Sequence, residues 1–100
     1  MGKLVRDKIP EIIEASGATP LTRVLETDEY LSCLEAKLDE EVSEFHESKQ
    51  LEELADILEV ICALAEAQGS SRQQLFEVCE KKNAARGGFA KRIYWMGNLR

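Results

Sequence analysis

Residues 51 to 68, LEELADILEVICALAEAQ, leave room for only a narrow polar arc. Projected at about 100° per residue, Leu51, Leu54, Leu58 and Ile61 form a stripe that Ala65 continues. Ile57, Val60 and Leu64 widen it on one side, Ala55 and Cys62 on the other. Glu52, Glu59 and Glu66 make up the polar strip, with Asp56 at its edge. A helix apolar around most of its circumference has to be covered on several sides. A chain of 100 residues supplies few other elements to cover it, and a domain of that size buries only part of its unfolded surface. The segment therefore predicts an all-α fold in which a partner chain, most simply the second half of a symmetric dimer, covers what one chain leaves open.

The other elements follow from caps and stop signals. Residues 1 to 9 have no clear period. Pro10 suits the first turn of a short helix running to about Ser16, which Gly17 stops. Residues 18 to 26 include Thr19, Pro20, Thr22 and Val24 and read as extended or irregular. A long helix begins near Thr27 or Asp28, either of which can cap it. Its stripe is Leu31, Leu34, Leu38, Val42 and Phe45, and it ends near Glu47 to Lys49. The 51–68 helix stops at Gly69. Ser70 and Gln73 make a capping-box pattern for a third long helix that ends at Gly87-Gly88. The tail, Phe89 to Arg100, carries Ile93, Tyr94, Trp95 and Met96 and reads as a docked extended segment. The expected architecture is one domain over residues 1–100: a helical bundle built on an antiparallel helix hairpin and completed by oligomerisation.

The two central helices carry carboxylates where apolar residues belong. Glu53 falls inside the apolar sector, between Val60 and Leu64 on the projection. On the preceding helix the stripe Leu34, Leu38, Phe45 passes through position 41, which is Glu. An unpaired charge at an inward position is costly and needs compensation. Glu44 lies one turn from Glu41, and Asp56 one turn from Glu53. The connection centres between Ser48 and Lys49, so Glu44 and Glu53 are equidistant from it, as are Glu41 and Asp56. In an antiparallel hairpin such pairs share a height, the two levels being roughly 4.5 Å apart at about 1.5 Å rise per residue. Four carboxylates then meet at one interface and repel unless a divalent cation joins them. An all-oxygen donor set suits Mg²⁺, with Mn²⁺ as the alternative, and the absence of Cys and His from it disfavours zinc. Glu40, Asp39, Glu47, Glu52 and Glu59 read as ordinary surface charge.

Charge and cysteine usage narrow the partners. The net charge of −6 does not attract a nucleic-acid polymer. Acidic residues crowd positions 26 to 59, whereas Lys81, Lys82, Arg86, Lys91, Arg92 and Arg100 crowd the end. Lys82 and Arg86 share a helix face, and the adjoining Gly87-Gly88 lets backbone approach a ligand. Both cations suit phosphate, Arg bidentately; they also suit the negative end of a helix dipole. No apolar run approaches the roughly 18 residues of a membrane span. Met1 to Pro10 lack the apolar core of a signal peptide, so a cytoplasmic location is expected. Cys33, Cys62 and Cys79 are odd in number and have no CxxC spacing, which argues against a disulfide framework. Cys62 and Cys79 read as small core residues. His46, the one histidine, reads as exposed.

Lys37-Leu38-Asp39-Glu40-Glu41-Val42-Ser43-Glu44 followed by Glu53-Leu54-Ala55-Asp56 resembles the KxxEExxE…ExxD signature of the MazG-like all-α nucleoside triphosphate pyrophosphohydrolases. That superfamily includes dimeric dUTPases and phosphoribosyl-ATP pyrophosphohydrolase. Lys3-Leu4-Val5-Arg6-Asp7-Lys8-Ile9-Pro10-Glu11 and Arg86-Gly87-Gly88-Phe89 resemble a short subgroup termed phosphoribosyl-ATP pyrophosphohydrolase-like. The resemblance implies an oligomeric helical bundle with a Mg²⁺ site made by Glu41, Glu44, Glu53 and Asp56. It implies cleavage between the α- and β-phosphates of a nucleotide; the mechanism expected for such a site has water activated by the metal or by one of Glu41 and Glu44. Lys37 is the lysine of the signature, and Lys82 and Arg86 match a downstream KxxxR that would hold phosphates. The segment linking the two acidic pairs is shorter than in typical MazG proteins. The N-terminal region departs from the pattern of a true histidine-biosynthesis enzyme, which leaves phosphoribosyl-ATP hydrolysis as the alternative substrate reading. A non-enzymatic helical binding module is the alternative of a different class.

Overall fold

A computed structural model of the chain describes residues 2–100; Met1, the first residue of the segment read above as lacking a signal sequence, lies outside them. The described residues form four α-helices and no strand: α1 Ile9–Ala15, α2 Thr27–Ser48, α3 Leu51–Ala67 and α4 Arg72–Arg86. None of the described helices is long and apolar enough to cross a membrane.

Local chemistry accounts for most of the boundaries. Pro10 sits in the first turn of α1, where its fixed φ suits the helix and its missing N–H is no loss. The residue capping α2 is Glu26, in extended conformation and with no side-chain hydrogen bond to the helix. Thr27 and Asp28, the expected caps, lie inside the first turn instead, where Asp28 and Glu29 meet the positive end of the helix dipole. At the far end Lys49 adopts a left-handed φ of 57°, and its N–H donates to the Phe45 carbonyl at 2.8 Å. Gln50 then turns extended and α3 begins. The cap of α4 is Ser71, whose Oγ accepts from the Gln74 N–H at 3.1 Å, while Ser70 Oγ pairs with the Gln74 side chain at 2.9 Å. Ser70–Gln73 and Ser71–Gln74 fit the same sequence pattern, and the register one residue later is the one formed.

α2 and α3 pack on each other and α4 packs on α3. The apolar side chains fully covered between them are few: Leu34, Val60 and Cys62. The covered face of α3 carries Glu53, Asp56, Ile57, Val60 and Leu64. Leu51, Leu54 and Leu58, at the same helical spacing a step around the circumference, stay exposed. Cys79 is exposed as well, so Cys62 is a core residue and Cys79 is not.

From Phe76 to Arg100 every residue is exposed. The tail therefore does not dock on its own chain as expected. Phe89, Ile93, Tyr94, Trp95, Met96 and Leu99 all face solvent, and Trp95 Nε1 makes a local bond of 3.1 Å to Asn98 Oδ1. The helix before it, α4, touches α3 alone, and the exposed Leu51, Leu54 and Leu58 of α3 are not covered by the tail. The chain measures 63 × 32 × 21 Å with a radius of gyration of 18.0 Å, against about 13 Å for a compact chain of this length.

Candidate metal centre

Packing α2 on α3 gathers the carboxylates. Oxygens of Glu41, Glu53 and Asp56 lie within 4.8 Å of one another, and so do oxygens of Glu40, Glu41 and Glu44. Glu41 belongs to both groups. Glu44, exposed at the rim, joins the cluster through Glu41, while Glu53 and Asp56 are half-buried on the other side of it. Glu40, read from the sequence as surface charge, is half-buried and part of the second group.

Glu41 is the centre of the arrangement and is 6 % exposed. Its Oε1 lies 3.4 Å from Lys37 Nζ. Its Oε2 is buried and has no hydrogen-bond partner. Buried polar atoms nearly always find a partner, so an orphaned carboxylate oxygen between two groups of carboxylates is the place where a cation fits. Burial first, and then the neighbouring Glu44, push the Glu41 carboxyl above the usual carboxylate range; Lys37 pulls it partly back. The donors are all oxygen, as a hard divalent cation requires. Glu41, Glu53 and Asp56, extended by Glu44 through Glu41, make up that donor set.

Three side-chain cations lie on the cluster. Lys37 Nζ is 3.3 Å from Glu40 Oε2. Lys3 Nζ is 3.7 Å from Glu40 Oε1. Arg6 Nη2 donates to Asp56 Oδ1 at 2.8 Å. Beside the cluster runs an open groove of about 490 Å³, lined among others by Val5, Arg6, Tyr30, Lys37, Glu41 and Asp56. Lys3 and Arg6 had no place in a site read from the residues alone. Only the repeated cations of the segment hinted at one, and the segment has no period that could dock it on a helix face.

The expected phosphate-binding cations divide. Lys37 lies in the groove. Lys82 and Arg86 sit on the exposed part of α4 and do not line it. Gly87, at φ 81°, ends α4, and neither it nor Gly88 has another group of the chain close by. Among the aromatic residues Tyr30 lines the groove, whereas Phe89, Tyr94 and Trp95 stand in the exposed tail. His46 is exposed, its ring 6.3 Å from that of Phe45, and it takes no part in the cluster.

No family model matches the chain, and no solved structure matches it. It is similar to an uncharacterized protein of Mycolicibacterium smegmatis, with 64% identity over 44 residues. That stretch covers 44% of this chain and 45% of the mycobacterial protein, so the likeness spans less than half the length of either.

Proposed function

We propose that this chain is a nucleoside triphosphate pyrophosphohydrolase that uses Mg²⁺, or Mn²⁺ in its place, to release pyrophosphate and a nucleoside monophosphate. The observation that carries the reading is Glu41 Oε2, a buried carboxylate oxygen without a partner where two carboxylate groups meet beside a cation-lined groove. The KxxEExxE…ExxD resemblance supports the same reading from the sequence. The carboxylates of Glu41, Glu44, Glu53 and Asp56 would hold the cation. A cation there would neutralise the charge that builds on the phosphate oxygens.

The chain's own groups supply the rest. Lys37 faces the groove and grips phosphate. Burial raises the Glu41 carboxyl, and the Glu44 carboxylate stands beside it. One of the pair takes the proton of the attacking water, and Glu44, exposed, passes it to solvent. Water attacks phosphorus, the P–O bond to the bridging oxygen breaks, and pyrophosphate leaves with that oxygen. No covalent intermediate is required.

A second copy of the chain completes an antiparallel-hairpin bundle. The chain exposes 9064 Å², about 3,300 Å² beyond the roughly 5,700 Å² of a globular monomer of 11.3 kDa. The uncovered Leu51, Leu54 and Leu58 stripe and the apolar tail make up part of that excess. Burying half of that excess on each of two chains, about 3,300 Å² in total, falls in the size class of an obligate homodimer interface. Lys82 and Arg86 lie outside the groove of their own chain, so a role in holding phosphate would require α4 of a second copy to approach the carboxylates.

The test is pyrophosphate release from a panel of nucleoside and deoxynucleoside triphosphates with Mg²⁺, and with phosphoribosyl-ATP alongside. Turnover of one or more triphosphates is expected. Absence of any turnover, with a melting temperature indifferent to Mg²⁺, would leave a helical binding module and sink the enzymatic reading.

A further inference from the structure

The segment that precedes α1 lies on the carboxylates, and the hydrolysis outlined above does not use it. Arg6 and Asp56 meet across 50 residues of sequence. Their side chains are 55% and 38% exposed, and an ion pair that open contributes little to stability. The pair is better explained by what surrounds it. Leu4, Val5, Arg6 and Lys8 form one wall of the groove, and Glu41 and Asp56 stand on the other. The cations in that groove are Arg6, Lys8 and Lys37, all from this chain. Arg6 spends one of its guanidinium N–H donors on Asp56, out of the five that its planar fork offers.

Asp56 is also one of the three carboxylates gathered at Glu41. A divalent cation on Asp56 and the Arg6 guanidinium compete for the same carboxylate, because each positive charge lowers what the other gains there. Once displaced, the guanidinium is left at the mouth of the groove, where a polyphosphate bound to the cation is the nearest anion. Arg is suited to that exchange, since its fork fits carboxylate and phosphate alike.

We propose that Arg6 is a substrate-binding residue: it holds Asp56 while the carboxylates carry no cation, and turns to the phosphate oxygens of a polyphosphate once a divalent cation takes Asp56. The proposal rests on the pyrophosphohydrolase reading, whose notable cations were Lys37, Lys82 and Arg86, and it adds the N-terminal segment to the site. Lys3, on Glu40, is placed to follow the same path.

The test uses calorimetry on the full chain with two probes, Mn²⁺ alone and inorganic pyrophosphate in the presence of Mn²⁺. Arg6→Ala removes the competitor for Asp56, so Mn²⁺ alone is expected to bind it about threefold tighter than wild type. Pyrophosphate is expected to bind it on the order of tenfold more weakly, and Arg6→Lys to recover part of that loss. The opposite signs distinguish the proposal from a structural role, which would weaken both together. Parallel weakening, or no change in either affinity while wild type binds both probes, overturns the proposal and leaves the pyrophosphohydrolase reading standing. A wild-type chain that binds neither probe overturns both.

Discussion

Replacing Glu41 by Gln keeps the side-chain volume and removes the charge, and the effect on stability should change sign with divalent cation. Without cation the wild-type chain carries an orphaned buried oxygen, a fault of about 1–3 kcal/mol. Against this the variant gives up the attraction of Lys37, 3.4 Å from Oε1. Lys37 is not stranded by the change, because Glu40 Oε2 remains 3.3 Å away, so the loss stays near about 1 kcal/mol. The Gln amide can also donate to Glu44, where two carboxylates now crowd. The net expectation in chelator is a gain of about 1 kcal/mol, or about 4–8 °C in melting temperature for a domain of this size. In Mg²⁺ the order reverses. Cation at 100 times its dissociation constant stabilises the wild type by about 2.7 kcal/mol, and the variant has lost the central ligand. Melting curves in chelator and in Mg²⁺, for both proteins, read the crossing directly. A variant that melts below wild type in chelator, and gains as much from Mg²⁺, would show Glu41 to be a structural partner of Lys37 and refute the reasoning. The pH dependence has a definite sign. The folded chain holds the Glu41 proton more tightly than the unfolded chain does, so this group penalises folding at neutral pH, and the penalty fades as pH falls through the raised value. The advantage of Glu41→Gln in chelator should therefore shrink on acidification.

Glu53→Gln should abolish pyrophosphate release while leaving the helical circular-dichroism signal and the melting temperature in chelator close to wild type; full activity would remove Glu53 from the site. Leu58→Glu, on the exposed stripe of α3, should reduce the mass measured by light scattering toward the 11.3 kDa of one chain, whereas a wild-type chain already of that mass at micromolar concentration would end the dimer proposal. Ser71→Ala removes the bond to the Gln74 N–H and should cost about 1 kcal/mol in denaturant unfolding, while Ser70→Ala should cost less.

The helices were legible in the sequence because their signals are local. Pro10, Gly17, Gly69 and Gly87 mark ends, the period of apolar residues marks α2 and α3, and a Ser-x-x-Gln pattern marks the start of α4. The exceptions are equally local in origin: two overlapping Ser-x-x-Gln patterns compete at α4, and at α2 the chain enters through an extended Glu26, ahead of both candidate caps. Glu41 and Glu53 were legible as site residues because each interrupts an apolar face, which is a statement about one helix at a time. The grouping with Asp56 followed from counting residues out from the connection, and the structure brings those three together. Glu44 was placed on the same count opposite Glu53, but it groups with Glu40 and Glu41 instead.

What lay beyond the sequence depends on which surfaces face each other. α3 is apolar over so much of its circumference that its pattern does not say which arc meets α2; packing selects the arc carrying Glu53, Asp56 and Val60, and leaves Leu51, Leu54 and Leu58 open. The tail has the composition of a buried segment, yet it stays exposed along its length, as do the open leucines of α3. Arg6 and Lys3 reach the carboxylates from a segment without periodicity, through contacts spanning tens of residues. Glu41 and Glu53 are thus written in the sequence as breaks in two apolar patterns. That one of them is buried with an oxygen left bare, and that the N-terminal cations lie beside it, was decided by the packing of α2 and α3, because burial and charge pairing belong to surfaces brought together from distant positions.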